Sequence, residues 1–495
     1  EQRGKAFYLR GATASGEEAI AVLGEVEVPA STVTCAGCHG ADGLGKKEGG
    51  IAPGNLTWEH LTKSYGHTHD GNRRHGMFTE AAFMRAVTAG VDPAGNSLAV
   101  AMPRYKMQAS EMADLIAYLK RIRTDRDPGL SDAGIVIGTL LPTTGMQAET
   151  GQAMREVLAA YFDEINNRGG IYNRRIELKV LEAKTLTDAA DAGGRGLLEQ
   201  EKVFALVSGL SADSGNDLFK TVNAKAIPLV GFSTPYTQTE SPLNRYVFYL
   251  HSGLEDQARA LVNFAAQEPE SAKRKVSIVH AQDETSVGIA RSVEEQAKKN
   301  GWREVSVTGY SAQKFDAARL AAELKQNGTN KIFFFGAGGQ DKLLVEQLAA
   351  VKHYPTVFLL GMLAGRDLLD LAPAGFADKI YLAYPSMPSD LTANGLTEYR
   401  MLVEKYKIKV RHTTAQIAAL AGAKILIEAL QRGGRDISRE KLVAALEGLY
   451  DFQTAMTPQI TYGPNRRKGS AGAYLVTINP ERKTFVPASN WIKAN

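Results

Sequence analysis

The chain has 495 residues with 58 basic against 54 acidic side chains, a net charge of +4, so nothing marks it for nucleic acid or for a membrane surface. That length excludes a single core, because cores stop growing near roughly 250–300 residues and longer chains divide. No apolar run is long enough to cross a bilayer, and the residues from Glu1 lack the basic-then-apolar profile of a signal peptide, which fits a mature secreted form after signal-peptide removal.

The first chemical signal in chain order is VTCAGCHGADGLG, residues 33–45, which holds both cysteines of the chain with His39 directly after the second. A disulfide between Cys35 and Cys38 would close a very small loop and stabilise little. A redox dithiol should follow a strand in a βαβ unit, and a zinc site needs two further ligands at suitable spacing; neither context is present. Covalent haem accounts for the spacing: each thiol adds to one haem vinyl group, and the adjacent imidazole is placed to ligate iron. With Gly40-Ala41-Asp42-Gly43 after the motif, Ala52, Pro53, Asn55 and Leu56 in a loop, and Met102-Pro103 before a final helix, residues 1–124 resemble the c-type cytochromes. The resemblance implies a small all-α domain with one covalent haem c on Cys35 and Cys38 and His39 as fifth ligand.

A thioether suits the sixth position of an electron carrier of raised potential. Ser110 reads as the N-cap of a helix in which Met112, Leu115, Ile116 and Leu119 recur at helical spacing. That leaves Met102 in a loop stiffened by Pro103. Met102 is therefore the expected sixth ligand with Met107 its rival, while Met77, Met84 and Met112 read as packing residues. His60, His67, His69 and His75 crowd one glycine-flanked stretch without a second C-x-x-C-H, and that stretch reads as a solvated loop.

Residues 125–133 are polar, carry Pro128 and Gly129 and lack periodicity, which predicts a linker. After it GIVIGTLLP reads as a buried strand, MREVLAAYFDEINNRGG as a helix stopped by glycine, and RIELKVLEA as a second strand. Apolar runs at FALVSGL, IPLVGF, KVSIVHA, KIFFFGAG, TVFLLG and KIYLAYP continue the alternation, which predicts parallel sheets with helices on both faces. Two sheets are expected, a near lobe over 134–252 and a far lobe over 253–385, with later segments returning to both. Gly336-Ala337-Gly338-Gly339-Gln340-Asp341 has the look of a dinucleotide fingerprint, but Asp341 stands at the third glycine position, and the stretch reads as a turn lining a cleft.

Ile137-Gly138, Leu141-Pro142, Thr144-Gly145, Asn166-Gly169-Gly170-Ile171, Val207-Gly209-Ser211 and Ile227-Pro228, in that order, resemble the type I periplasmic binding proteins of the leucine/isoleucine/valine-binding branch over residues 134–495. The resemblance implies a bilobal α/β fold crossed by three connections, with a small-molecule ligand in the cleft between lobes. Ligands of open α/β sheets sit beyond the carboxyl ends of the strands, which adds Thr144, Ser211, Ala212, Asp213, Phe232, Ser233, Thr234 and Tyr236 as candidates. The family role of gripping a carboxylate falls on Ser211, Ser233 and Thr234. In the far lobe Ser286 and Met362 are the candidates, and the tyrosine of amino-acid receptors is missing from Asp283-Glu284-Thr285-Ser286-Val287-Gly288. An ammonium desolvated without a carboxylate is costly, so the expected ligand is a carboxylate or neutral polar compound with an apolar part.

The fusion leads to a periplasmic electron-transfer protein that recognises a small molecule tied to an oxidation pathway, with a quinoprotein-type dehydrogenase as redox partner. The alternative is an uptake receptor working with an ABC permease, or a sensor for amino acids or related solutes. Catalysis is not expected, since no nucleophile–base motif accompanies the lobes.

Overall fold

The computed structural model describes all residues except 1, 14–18, 46–51, 70–71, 184–197, 199–201, 211–215, 239–242, 270, 337, 365–367, 372, 480 and 495. The chain forms two compact units, Glu1–Arg126 and Asp127–Asn495.

The first unit runs α1 (Gln2–Arg10), β1 (Ile20–Leu23), β2 (Val26–Pro29), α2 (Cys35–His39), α3 (Trp58–Leu61), β3 (His67–Thr68), β4 (Arg74–His75), α4 (Glu80–Ala89), β5 (Arg104–Lys106) and α5 (Ala109–Leu119). It is helical, as expected, but adds a three-stranded sheet in the order β2-β1-β5 and the pair β3-β4. These strands are too short to show a period of two in the sequence. Helix α1 crosses α5 closely at Gly4, where a Cβ would lie 1.9 Å from the Asp114 carbonyl oxygen. The apolar stripe of α5 is buried, with Met112, Leu115 and Leu119 each 1% exposed. Its start differs from expectation: Gln108 and not Ser110 is the N-cap, and the Gln108 N–H donates to the Glu111 carboxylate at 2.8 Å. Glu111 at the third helical position thus supplies the reciprocal half of a capping box.

The second unit begins inside the stretch read as a linker. The Asp127 carboxylate accepts the Arg439 backbone N–H at 2.6 Å, and Gly129 O accepts from Val136 N at 2.8 Å. The near lobe follows with β6 (Gly134–Pro142), α6 (Ala148–Asn167), β7 (Arg175–Ala183), β8 (Ala205–Leu210), α7 (Asn216–Ala224), β9 (Leu229–Ser233) and β10 (Val247–Tyr249). The far lobe carries α8 (Leu254–Ala265), β11 (Val276–Ala281), α9 (Glu284–Lys299), β12 (Val305–Tyr310), α10 (Ala317–Gln326), β13 (Lys331–Phe335), α11 (Gln340–Ala350), β14 (Thr356–Leu360), α12 (Leu368–Leu371) and β15 (Ile380–Tyr384). Then α13 (Ala393–Tyr406), α14 (Thr413–Gly433) and α15 (Arg439–Glu447) pack in the near-lobe core, and β16 (Gly472–Asn479), β17 (Thr484–Pro487) and β18 (Ile492–Lys493) close the far sheet. The chain therefore crosses between lobes three times.

The near sheet is parallel in the order β10-β9-β8-β6-β7, and the far sheet begins β12-β11-β13-β14-β15, also parallel. Numbered within its lobe, each reads 2-1-3-4-5, the doubly wound order whose switch point lies between the first and third strands. The strands are legible as unbroken apolar runs because helices cover both faces. Helix α14 is long and apolar enough to span a membrane, the one such helix among the described residues. It is instead a core helix, with Ala419, Leu420, Ala421, Ala423, Ile425 and Leu426 each at 0% exposure.

Candidate functional site

In the first unit, Thr34 caps the turn that carries the cysteines: its hydroxyl accepts the Gly37 N–H at 3.1 Å. Cys35 is buried and Cys38 exposed, and neither is in a disulfide. Burial pushes the Cys35 thiol up to about 12, so it stays protonated near neutrality. His39 is buried as well, and its Nδ1 lies 2.7 Å from Gly54 O. That carbonyl requires Nδ1–H, which leaves Nε2 as the donor atom of the ring. Burial lowers the His39 pKa below the ordinary 6.5, favouring the neutral imidazole that binds metals.

Both cysteines, His39 and Met102 line one cavity of about 380 Å³, closed by apolar side chains that include Phe78, Phe83, Leu98, Leu115 and Leu119. Two thiols, an imidazole with its second nitrogen tied back, and a thioether around an apolar void are the donor set of haem c, so the residues present fit that group. Met107 packs against the unit's core but is not on the cavity wall; Met112 is in the core, and Met77 and Met84 are exposed.

Sequence reasoning missed Arg104. Its guanidinium donates to the carbonyl of Met102, to Leu98 O at 3.2 Å and to Ala99 O at 3.4 Å. It therefore clamps the loop that presents Met102. The clamp needs Gly90, the left-handed C-cap of α4 at φ +72°, where a Cβ would lie 1.8 Å from Arg104 Nε. No local pattern marks such a residue, because its partners are backbone carbonyls.

The four histidines read as a solvated loop are also on the cavity wall. Strand β3 pairs with β4 so that His67 faces His75. His75 is buried, which corrects the solvated reading. Among the described residues no three His, Cys, Asp or Glu side chains are grouped to hold a metal ion.

In the second unit the cleft candidates divide. Thr144 is exposed at the carboxyl end of β6, capping the 3₁₀ turn Gly145–Gln147. Ser233 ends β9 half-buried, and the Thr234 hydroxyl accepts the Tyr236 N–H at 3.1 Å, forming a hydroxyl turn. Tyr236 is half-buried against the far-lobe core. Phe232 departs from expectation: its ring lies in the near-lobe core, edge-on to Phe219 at 5.4 Å, so it supports the loop and offers no cleft surface. Ser211, Ala212 and Asp213 lie outside the described residues. In the far lobe, Ser286 is buried, and its N–H donates to the Asp283 cap of α9 at 2.9 Å. Val287 and Met362 are 46% and 58% exposed. A cavity of about 340 Å³ also opens at the end of β6, lined in part by Arg155 and Arg411, neither of which the sequence singled out.

A family model described as periplasmic binding protein matches residues 134–484, and one described as cytochrome c matches residues 30–123. Leu/Ile/Val-binding protein homolog 8 of Brucella abortus (strain 2308) is 24% identical over 382 residues, covering 70% of this chain and 91% of the relative. An amino acid binding protein of Pseudomonas aeruginosa is 26% identical over 217 residues, 44% of this chain and 57% of the relative. Among solved structures, a fatty acid ABC transporter substrate-binding protein from Thermomonospora curvata superposes with a TM-score of 0.52 at 15% identity, covering 74% of this chain and 95% of that one. A branched chain amino acid ABC transporter from Thermus thermophilus with bound valine gives 0.53 at 14% identity, covering 74% and 97%. At such identities the structures speak for the fold alone. The fold, the donor set of the cavity and the two family matches agree: the chain belongs to the periplasmic binding protein family and carries a cytochrome c domain, the kind that holds covalent haem c, ahead of its binding lobes.

Proposed function

We propose that this is a periplasmic electron-transfer protein with one haem c, held by Cys35 and Cys38 and ligated by His39 and Met102. Its second unit captures a small organic ligand between the lobes. The observation that carries this reading is the single cavity bounded by both thiols, His39 and Met102, in a chain whose remainder is a binding fold. Bound there, haem c supplies a one-electron couple. The chain's residues fix its environment: Gly54 O orients His39, and Arg104 holds the Met102 loop. The electron donor on this reading is a periplasmic dehydrogenase, of quinoprotein type.

Replacing Met102 by alanine is expected to remove the weak red absorption of Fe(III)–S(Met). Arg104→Ala should weaken the same band with Met102 intact, and Arg104→Lys should restore part of it. Hydrogen bonds to charged groups contribute roughly 1.5–3 kcal/mol, so the loop loses about one to two decades of preference for the ligating conformation. An unchanged band in Met102→Ala would move the ligand elsewhere.

For the cleft we propose a carboxylate or neutral polar ligand with an apolar body. The exposed apolar side chains of Val287 and Met362 in the far lobe and the hydroxyl-bearing loop at Ser233 and Thr234 in the near lobe support this reading. Calorimetry should show 4-methyl-2-oxopentanoate binding more tightly than leucine, and phenylacetate more tightly than phenylalanine, by about one to two decades. Tighter binding of the amino acids would overturn the assignment and place Asp213, Asp283 or Glu284 on the ammonium. It would also favour the second reading, an amino-acid uptake receptor for an ABC permease, towards which the names of the relatives point.

A further inference from the structure

Helix α3 contributes His60, β3 His67, the residue after it His69, and β4 His75, and their rings form one continuous group. Ring centroids are 4.3 Å apart for His60 and His67, 5.3 Å for His67 and His75, and 4.9 Å for His69 and His75. Nε2 of His69 and Nε2 of His75 are 2.8 Å apart, and His75 Nδ1 lies 2.7 Å from Gly76 O. The Gly76 carbonyl can only accept, so neutral His75 carries its proton on Nδ1 and its bare Nε2 accepts from His69 Nε2–H. Nε2 of His67 is buried without a hydrogen-bond partner. Backbone hydrogen bonds at His60 and Leu61 engage the other ring nitrogen of His67, so Nε2 of neutral His67, like Nε2 of His75, is a basic lone pair within the group. All four rings line the cavity that holds Cys35, Cys38, His39 and Met102.

We propose that this histidine cluster takes up a proton when the haem in the cavity is reduced, so that the protein moves a proton together with its electron. The inference rests on the haem assignment to Cys35, Cys38 and His39. A one-electron donor removes one unit of positive charge from the cavity, Fe(III) becoming Fe(II). One imidazole takes a proton from solvent and becomes imidazolium, restoring the charge, and oxidation reverses both. Charges in an enclosed apolar cavity interact far more strongly than in water.

The surrounding charges set where this happens. Lys63 opposes protonation of His60 and His67, and Arg73 opposes that of His69. Asp92 favours protonation of His69 but is already paired with Arg73 at 2.6 Å and held by Asn96. Glu59, beside His60, is exposed and paired with Arg123 at 3.3 Å. Arg74 lies on β4 next to His75, Arg104 is hydrogen-bonded to the Met102 loop, and Asp70 lies outside the described residues. Tyr8 and Tyr105 on the wall are held protonated by burial. Burial foremost, then the neighbouring imidazoles together with these cations, keeps His60, His67 and His69 below the ordinary 6.5. These three imidazoles are thus neutral near pH 7, and the coupling falls on the acid side of that value.

The test is potentiometry of the full holoprotein, poised with mediators between pH 4.5 and 8. The midpoint is expected to fall as pH rises through the acid range, towards a limit of tenfold in the equilibrium per pH unit, about 59 mV for a one-electron couple, and to level off above it. The variant His60→Gln/His67→Gln/His69→Gln/His75→Gln should lose most of that slope. A flat wild-type profile overturns the proposal, and so does a variant that keeps the wild-type slope, since the proton then rests on another group such as a haem carboxylate. Should the variant not fold, the histidine ring protons of the wild type decide by NMR: higher pKa values in the reduced state support the coupling, and equal values sink it. Failure of the haem assignment shows separately, as a denatured protein without Soret absorbance.

Discussion

Replacing Cys35 and Cys38 together by serine is expected to abolish covalent haem while leaving the second unit folded. Wild-type protein keeps its Soret absorbance through acidified-acetone extraction, and the double variant releases all of its haem to the solvent. On the proposed assignment the effect is all-or-none, because the thioether bonds would be the only covalent link, whereas His39 and Met102 would hold iron by coordination, which acid breaks. Single variants separate the anchors. Cys35 is buried on the cavity wall and Cys38 exposed at its rim, so Cys35→Ser and Cys38→Ser should each keep one thioether and still retain haem. Substituting His39 by alanine should alter the spectrum without releasing haem. Extraction of haem from the unaltered protein would refute attachment at these cysteines.

The C-x-x-C-H turn was legible in the sequence because its geometry is local: a thiol, two spacers, a thiol and an imidazole fit one helical turn. Thr34 before the turn and Gly40 after it, at φ +76°, also punctuate it in the sequence. The parallel strands were legible for another reason, since burial on both faces writes each as an unbroken apolar run.

What escaped depends on contacts between distant parts of the chain. That later segments return to both lobes was expected, but no local pattern says which do: helices α13 to α15 follow the far lobe in sequence and pack in the near-lobe core, with Leu402, Leu426 and Leu442 in one cluster with Ile135 and Val207. Phe232 lies at the end of a strand that reads as a cleft edge, but its place in the pleat sends the ring into the core. His67 and His75 sit on two-residue strands with no period to read, and only the β3–β4 pairing brings them together.

The near lobe hangs on one close approach, and Gly231→Ala is expected to remove several kcal/mol of its stability. In β8 and β9 the ladder pairs Val207 with Val230 and then Gly209 with Phe232, skipping Ser208 and Gly231. Both skipped residues have positive φ, +43° and +72°. Helix α14 packs over this kink: Ser208 Oγ donates to Ala419 O at 3.0 Å, and a Cβ on Gly231 would lie 2.5 Å from Gly422 Cα. Alanine at 231 meets a left-handed backbone, costing about 1–2 kcal/mol, and a helix backbone that must move, costing about 1–3 kcal/mol. The sum of roughly 2–5 kcal/mol is a large share of a typical domain's stability. Gly301→Ala, past the end of α9, is the matched control, because Gly301 has φ +76° with nothing within 4 Å of an added Cβ; it should show the backbone cost alone. Urea midpoints of the two variants should differ by the steric part, and equal losses would mean that α14 yields without strain. Since β9 runs directly from Gly231 into Ser233, and Thr234 follows, displacement of the kink should also weaken ligand binding in Gly231→Ala more than in the control.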